Sequence, residues 1–67
     1  MNWFENQRLE WIKEILKVFG FINRHHLMTK FGISKPQASK DLNKFMRIYP
    51  ESMRYDPKDK YYIRILK

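Results

Sequence analysis

Apolar residues recur at helical spacing in the first third of the chain. They form one stripe that consists of Leu9, Ile12, Ile15, Leu16 and Phe19. Residues three or four apart share one face of a helix, so the pattern predicts a first helix from Trp3 to Phe19. Asn2 and Glu5 have capping-box spacing at its start. Gly20 is expected to end this helix, because glycine readily adopts the left-handed conformation found after helix termini.

A second, shorter helix is predicted between Asn23 and Gly32. Residues 21–22 form a short extended connection before it, and Asn23 is a favourable N-cap residue. Ile22 and Leu27 have the spacing of a hydrophobic staple around this cap. Gly32 limits the helix to about two turns, which is typical of the first helix of a helix-turn-helix motif.

A third helix is predicted over residues 34–48. Ser34 and Gln37 have capping-box spacing, and Pro36 falls in the first turn, where a missing backbone N–H costs nothing. The stripe expected to be buried consists of Ala38, Leu42 and Phe45. We expect the small Ala38 to lie where this helix crosses its neighbour closely.

The segment after Pro50 alternates between apolar and polar residues, which predicts a β-hairpin. Its strands would cover residues 53–56 and 60–65, with type I turn chemistry at residues 56–59. We expect the last strand at an edge of the sheet. The order helix, strand, helix, helix, strand, strand predicts a mainly α, α+β winged helix-turn-helix fold, with residues 55–61 as the wing.

Charge is concentrated on the predicted helix-turn-helix. The 67-residue chain, expected to form a single domain over residues 1–67, has a net charge of +7. Residues 24–47 carry six basic side chains and one acidic side chain, whereas residues 1–23 carry three of each. A basic surface of this kind indicates a polyanionic partner.

The composition of the chain argues against several other classes of function. The chain has no cysteine, which argues against disulfides, thiolate zinc sites and thiol nucleophiles. It has no apolar run of the roughly 20 residues that a membrane span needs and no signal-peptide pattern, so we expect a cytoplasmic protein without a membrane partner. It shows no phosphate-binding glycine loop or paired carboxylates. We therefore expect no enzymatic activity, no cofactor, no metal and no small-molecule ligand.

The outward side of the third helix predicts contacts with double-stranded DNA, because a basic helix fits the major groove. This side carries Pro36, Gln37, Lys40, Asn43, Lys44 and Arg47. The residues expected to contact DNA, including two on the wing, are Arg24, Ser34, Lys35, Pro36, Gln37, Ser39, Lys40, Lys44, Arg47, Lys58 and Lys60.

Two residues of the third helix have alternative roles. The Gln37 amide can read adenine N6 and N7, or it can close the capping box on Ser34. Asp41 is an acid within a basic segment, and phosphate would repel it. We therefore expect Asp41 to turn toward the first two helices and to pair with Arg24, Lys30 or Lys44.

Residues 22–42 resemble the N-terminal winged helix of bacterial WYL-domain transcriptional regulators. The segments that carry the resemblance are Pro36-Gln37-Ala38-Ser39, Asp41-Leu42 and, in the tail, Tyr55-Asp56. It is most similar to the BrxR and CapW type, which lies beside phage-defence genes. This resemblance implies a repressor that binds an inverted repeat as a homodimer. Those regulators continue into ligand-sensing and dimerisation domains, so we expect either a small stand-alone relative or one domain of a longer protein.

Two alternatives remain open at this stage. The domain can be a protein-interaction module without nucleic-acid binding, or it can bind RNA. Trp3 and Trp11 either pack against the domain or form a surface for a partner. Together with the outer strand, they are the candidate surfaces for a dimer.

Overall fold

The computed structural model describes residues 3–65. Its elements are α1 (Trp3–Phe19), β1 (Phe21–Ile22), α2 (Arg24–Phe31), α3 (Lys35–Ile48), β2 (Met53–Asp56) and β3 (Tyr61–Arg64). The strands form an antiparallel sheet in the order β1-β3-β2. This is the predicted winged helix-turn-helix fold, with the predicted order of elements. Asn2, the expected cap of α1, lies outside the described residues.

Local hydrogen bonds define both ends of α2. The Asn23 side chain accepts the backbone N–H of His26 at 3.0 Å, and His26 Nδ1 accepts the backbone N–H of Asn23 at 3.2 Å. This reciprocal pair confirms the predicted cap. Gly32 ends the helix in the left-handed conformation, at φ 62°, and its N–H donates to the Met28 carbonyl. An L side chain rarely adopts that conformation, so the turn requires a residue such as glycine.

The start of α3 follows the prediction only in part. Ser34 Oγ accepts the backbone N–H of Gln37 at 3.2 Å, and Pro36 lies in the first turn. The Gln37 side chain does not return to Ser34, because its amide donates to Asp41 one turn further along the helix. The expectation that Gln37 closes a capping box is therefore wrong.

The hydrophobic core draws on every helix and strand. Its buried members are Leu9, Ile12, Leu16, Ile22, Leu27, Ala38, Leu42, Phe45, Met53 and Tyr62. Phe19 was expected in this core, but it is exposed in the last turn of α1 and lines a groove beside Phe21. Within residues 3–65, no helix is long and apolar enough to cross a lipid bilayer.

The sheet places β3 between two neighbours, which corrects the expectation that the last strand lies at an edge. Ile22 of β1 pairs with Tyr62, and Tyr55 of β2 pairs with the same residue from the other side. The rings of Tyr55 and Tyr62 lie 4.9 Å apart. Phe21 packs edge-on against Tyr61 at 5.4 Å. These ring contacts support packing roles for the hairpin tyrosines.

The wing closes one residue later than a type I turn over residues 56–59 would. The Lys60 N–H donates to the Asp56 carbonyl at 2.7 Å, with Lys60 in the left-handed region at φ 57°. The Asp56 side chain also accepts the Lys58 N–H at 2.9 Å. This side-chain bond stabilises the loop and leaves both lysine side chains exposed.

A substitution at Ala38 tests the packing of the helix-turn-helix. Its side chain is fully buried, so Ala38→Leu should lower the free energy of unfolding by about 1–3 kcal/mol through overpacking. Urea denaturation followed by tryptophan fluorescence measures this change. The matched control is Asn6→Leu at an exposed position of α1, which should change stability by less than about 0.5 kcal/mol. Equal stability of the two variants would contradict the assigned packing of Ala38.

Candidate nucleic-acid interface

One face of α3 is open to solvent along the length of the helix. Residues at spacings of four, three and four share this face, and the exposed ones are Pro36, Lys40, Asn43 and Arg47. The buried stripe of Ala38, Leu42 and Phe45 lies on the other side of the helix. Lys40 is therefore covered neither by the hairpin nor by α1, as DNA contact requires. Asn43 was on the predicted outward side but not among the predicted contacts. Its position three residues after Lys40 is the signal that would have included it.

The acidic residue of α3 is withdrawn from this face. The Asp41 side chain is 3% exposed, and Arg8 of α1 donates to both carboxylate oxygens, from Nε at 2.6 Å and from Nη2 at 3.3 Å. Asp41 turns toward the first helix, as expected. Its partner, however, is not Arg24, Lys30 or Lys44, because the arginine of α1 reaches it inside the packed interface. The solvent-facing charges of α3 are consequently all positive.

Lys44 also contacts α1, through an ion pair with Glu5. The hydrogen bond from Lys44 lowers the pKa of the Glu5 carboxyl below its ordinary value. The Lys44 side chain is 37% exposed. It therefore lies at the border between the exposed face of α3 and the α1 interface.

Gln37 lies on the same border, one helical turn before Asp41. Its Nε2 donates to Asp41 Oδ1 at 3.0 Å, and the side chain is half-buried. The residue thus belongs to a chain of side chains that runs from Arg8 through Asp41 to the edge of the exposed face. The sequence indicated Gln37 as a reader of bases. Its bond to Asp41 was missed, and the signal that would have found it is the spacing of four residues on one helix face, at which glutamine and aspartate side chains hydrogen-bond.

Arg24 and Ser39 are brought together on the α2 side of α3. Arg24 Nη1 donates to Ser39 Oγ across a long distance of 3.5 Å. This contact places a cation from the start of α2 beside α3. Ser34 and Lys35 are exposed at the N-terminus of α3, and Lys58 and Lys60 are exposed on the wing.

A second surface, made by α1, β1 and α2, is largely apolar. It contains a groove of about 550 Å³ lined by Trp11, Ile15, Phe19, Phe21, His25, His26, Thr29 and Lys30. Trp11 is half-buried and packs edge-on against Phe31 at 5.6 Å. Trp3 is 67% exposed, and Phe4 beside it is equally open. Trp11 therefore packs within the domain, whereas Trp3 is available to a partner.

Comparison with known proteins supports the winged helix-turn-helix fold. Residues 5–65 match the model of the BrxR transcriptional regulator winged helix-turn-helix domain. The DNA-binding transcriptional repressor CapW of Escherichia coli (strain KTE188) is 42% identical over 61 residues, which cover 91% of this chain and 20% of that protein. CapW of Stenotrophomonas maltophilia is 38% identical over 63 residues, which cover 94% of this chain and 21% of that protein. The chain thus spans about a fifth of the length of the curated relatives it matches.

The buried ion pair between α1 and α3 predicts a large stability effect. Arg8→Ala leaves the Asp41 charge buried without its cation, and breaking such a pair costs about 3–5 kcal/mol. We expect a variant that is largely unfolded or far more sensitive to urea, measured by tryptophan fluorescence and circular dichroism.

Glu5→Gln is the matched control, since it breaks the other ion pair between the same two helices at a more exposed position. It should lose much less stability, because exposed ion pairs contribute little. A loss from Arg8→Ala no larger than the loss from Glu5→Gln would contradict the burial of the Asp41 charge.

Proposed function

Because the chain belongs to the BrxR transcriptional regulator winged helix-turn-helix family, we propose that it binds double-stranded DNA sequence-specifically and represses transcription. The observation that carries this proposal is the exposed basic face of α3, from which the acid Asp41 is withdrawn. Relatives named DNA-binding transcriptional repressors support it. A role in phage defence and a cytoplasmic location are proposed for this chain as well, because the sequence resemblance to the BrxR and CapW type implies them.

In the proposed complex, α3 enters the major groove, which is about 12 Å wide and admits a helix. Lys40, at the centre of the exposed face, reaches a guanine edge or a phosphate. Ser34 and Lys35 lie at the positive end of the helix, where a phosphate is favoured. The other residues predicted to bind DNA contact phosphates and sugars, namely Arg24, Pro36, Ser39, Lys44, Arg47, Lys58 and Lys60.

The conformation of the wing supports its place in this proposal. Lys60 occupies the left-handed region, where glycine would be less strained. Position 60 therefore carries a lysine although its backbone conformation favours glycine. Sparsely populated conformations of this kind cluster at functional sites, and we propose that Lys58 and Lys60 contact the DNA backbone.

We further propose that two copies bind an inverted repeat. A single module of this size buries about 600–1,000 Å² on DNA and binds weakly by itself. The exposed rings of Trp3 and Phe4 offer a surface for the second copy, and neither residue is among the proposed DNA contacts. The same rings are the observation that favours the alternative function, a protein-interaction module.

The first test is binding to DNA. Duplexes selected from a random library should share a sequence motif. Lys40→Ala should weaken binding to them, and the negative slope of log affinity against log salt should decrease in magnitude by about 1. Fluorescence anisotropy at several salt concentrations measures both quantities.

The matched control is Lys17→Ala, which removes an equal charge from an exposed position in the last turn of α1. It should leave the slope nearly unchanged. Absence of any enriched duplex would overturn the proposal in favour of a protein-interaction module. Displacement of the duplex by single-stranded RNA at equal concentration would favour RNA as the ligand.

The second test concerns the aromatic surface. Replacing both rings, in Trp3→Ala/Phe4→Ala, should abolish cooperative binding to the selected inverted repeat while the affinity for a half-site stays unchanged. Phe19→Ala, at the other end of α1, removes an exposed ring of similar accessibility and serves as the control. Retention of cooperativity in the double variant, measured by analytical ultracentrifugation of the DNA complexes, would rule out this surface.

A further inference from the structure

Gln37, Asp41 and Arg8 form a continuous hydrogen-bonded chain from α1 to the edge of the exposed face of α3. Asp41 Oδ1 accepts from Gln37 Nε2 at 3.0 Å, and the Asp41 carboxylate is held by the guanidinium of Arg8. We propose that Asp41, fixed by Arg8, is a positioning residue that sets the orientation of the Gln37 amide and makes it select adenine over guanine. This inference rests on the proposed function.

The orientation follows from the chemistry of the two groups. An ionised carboxylate only accepts hydrogen bonds, whereas an amide has a donating nitrogen and an accepting oxygen. Gln37 must therefore turn its NH₂ group toward Asp41, because the reversed amide would place two acceptor oxygens against each other. A neutral amide at position 41 could donate as well as accept, so it would not require the NH₂ group of Gln37 to face it.

The Asp41 carboxylate has little freedom to move. Its side chain is almost fully buried, and Arg8 donates to it through two nitrogens. Two donors on a planar guanidinium fix both the position and the plane of a carboxylate. The Gln37 amide therefore hydrogen-bonds to a group that is itself anchored in another helix.

The fixed amide leaves a defined pattern for a base. One Nε2 hydrogen is used by Asp41, and the other hydrogen and Oε1 remain as one donor and one acceptor. Adenine presents the complementary pair, the N7 acceptor and the N6 amino donor, whereas guanine presents two acceptors, N7 and O6. Gln37 held in this way matches adenine and places Oε1 against O6 of a guanine.

The test compares base preferences rather than affinities alone. Wild type, Gln37→Ala, Asp41→Asn and the control Glu5→Gln are each used to select duplexes from a random library. Wild type should show one A·T pair whose preference disappears in both Gln37→Ala and Asp41→Asn, with a loss of about tenfold or more in discrimination at that pair. Glu5→Gln makes the same change in charge at the α1–α3 interface and should keep the preference.

Modified bases identify the atoms involved. In the selected duplex, 7-deazaadenine removes the N7 acceptor, and purine in place of adenine removes the N6 amino group. Each should weaken binding of wild type several-fold and leave Asp41→Asn nearly unaffected. A merely structural role of Asp41 would lower affinity for all duplexes equally, so an unchanged base preference in Asp41→Asn overturns the proposal and leaves DNA binding intact.

A measurement without DNA keeps the proposal falsifiable if Asp41→Asn fails to fold. In NMR spectra of the free wild-type protein, one Nε2 proton of Gln37 should exchange slowly with solvent, in contrast to the exposed amide of Asn43. Arg8→Lys, which keeps the charge but loses the two-nitrogen contact, should speed this exchange. Fast exchange of both Gln37 protons in wild type overturns the positioning role. Failure of wild type to enrich any duplex overturns DNA binding, and this inference with it.

Discussion

The Arg8–Asp41 ion pair is the interaction on which the geometry of α3 depends. It joins two residues 33 positions apart and lies inside the packed α1–α3 interface. Burying two charges is costly, and the attraction between them offsets this cost only when their geometry is good and their other hydrogen bonds are satisfied. The two nitrogens of Arg8 and the amide of Gln37 meet that requirement. The pair therefore helps to fix the orientation of α3 relative to α1. It also removes the acidic charge of α3 from the face that the helix presents to solvent.

The turn and the N-cap before α3 also restrict the direction of this helix. The left-handed Gly32 and the cap at Ser34 leave a short turn between α2 and α3, so little freedom remains in the direction of α3. The fully buried Ala38 adds no bulk where α3 packs against the rest of the domain. In a chain of 67 residues the core is small. Caps and turns that agree with the packing therefore contribute a large part of what selects one structure.

Helix bounds and N-cap residues depend on neighbouring residues and could be predicted from the sequence, whereas contacts between residues far apart in the sequence could not. The bounds of α1 and the caps of α2 and α3 follow from spacing and residue type within one or two turns. The pairing of β1 with β3 could not be foreseen, because two residues carry no register information. The partner of Asp41 could not be foreseen either. Several cations were equally plausible from charge alone, and only the packing of α1 on α3 decides among them.

In the proposed complex with DNA, electrostatic attraction and base preference have different origins on this surface. Lys40 and the other exposed cations attract any nucleic acid, because phosphates are the same for every sequence. Long, exposed lysine side chains also retain considerable rotamer freedom, which limits what they can distinguish. Sequence preference must then come from shorter neutral groups that neighbouring side chains hold in place. Gln37 meets this condition through Asp41, and Ser39 meets it more weakly through Arg24. In the proposed complex, the basic face thus provides attraction, and the buried Asp41 provides the means to discriminate through Gln37.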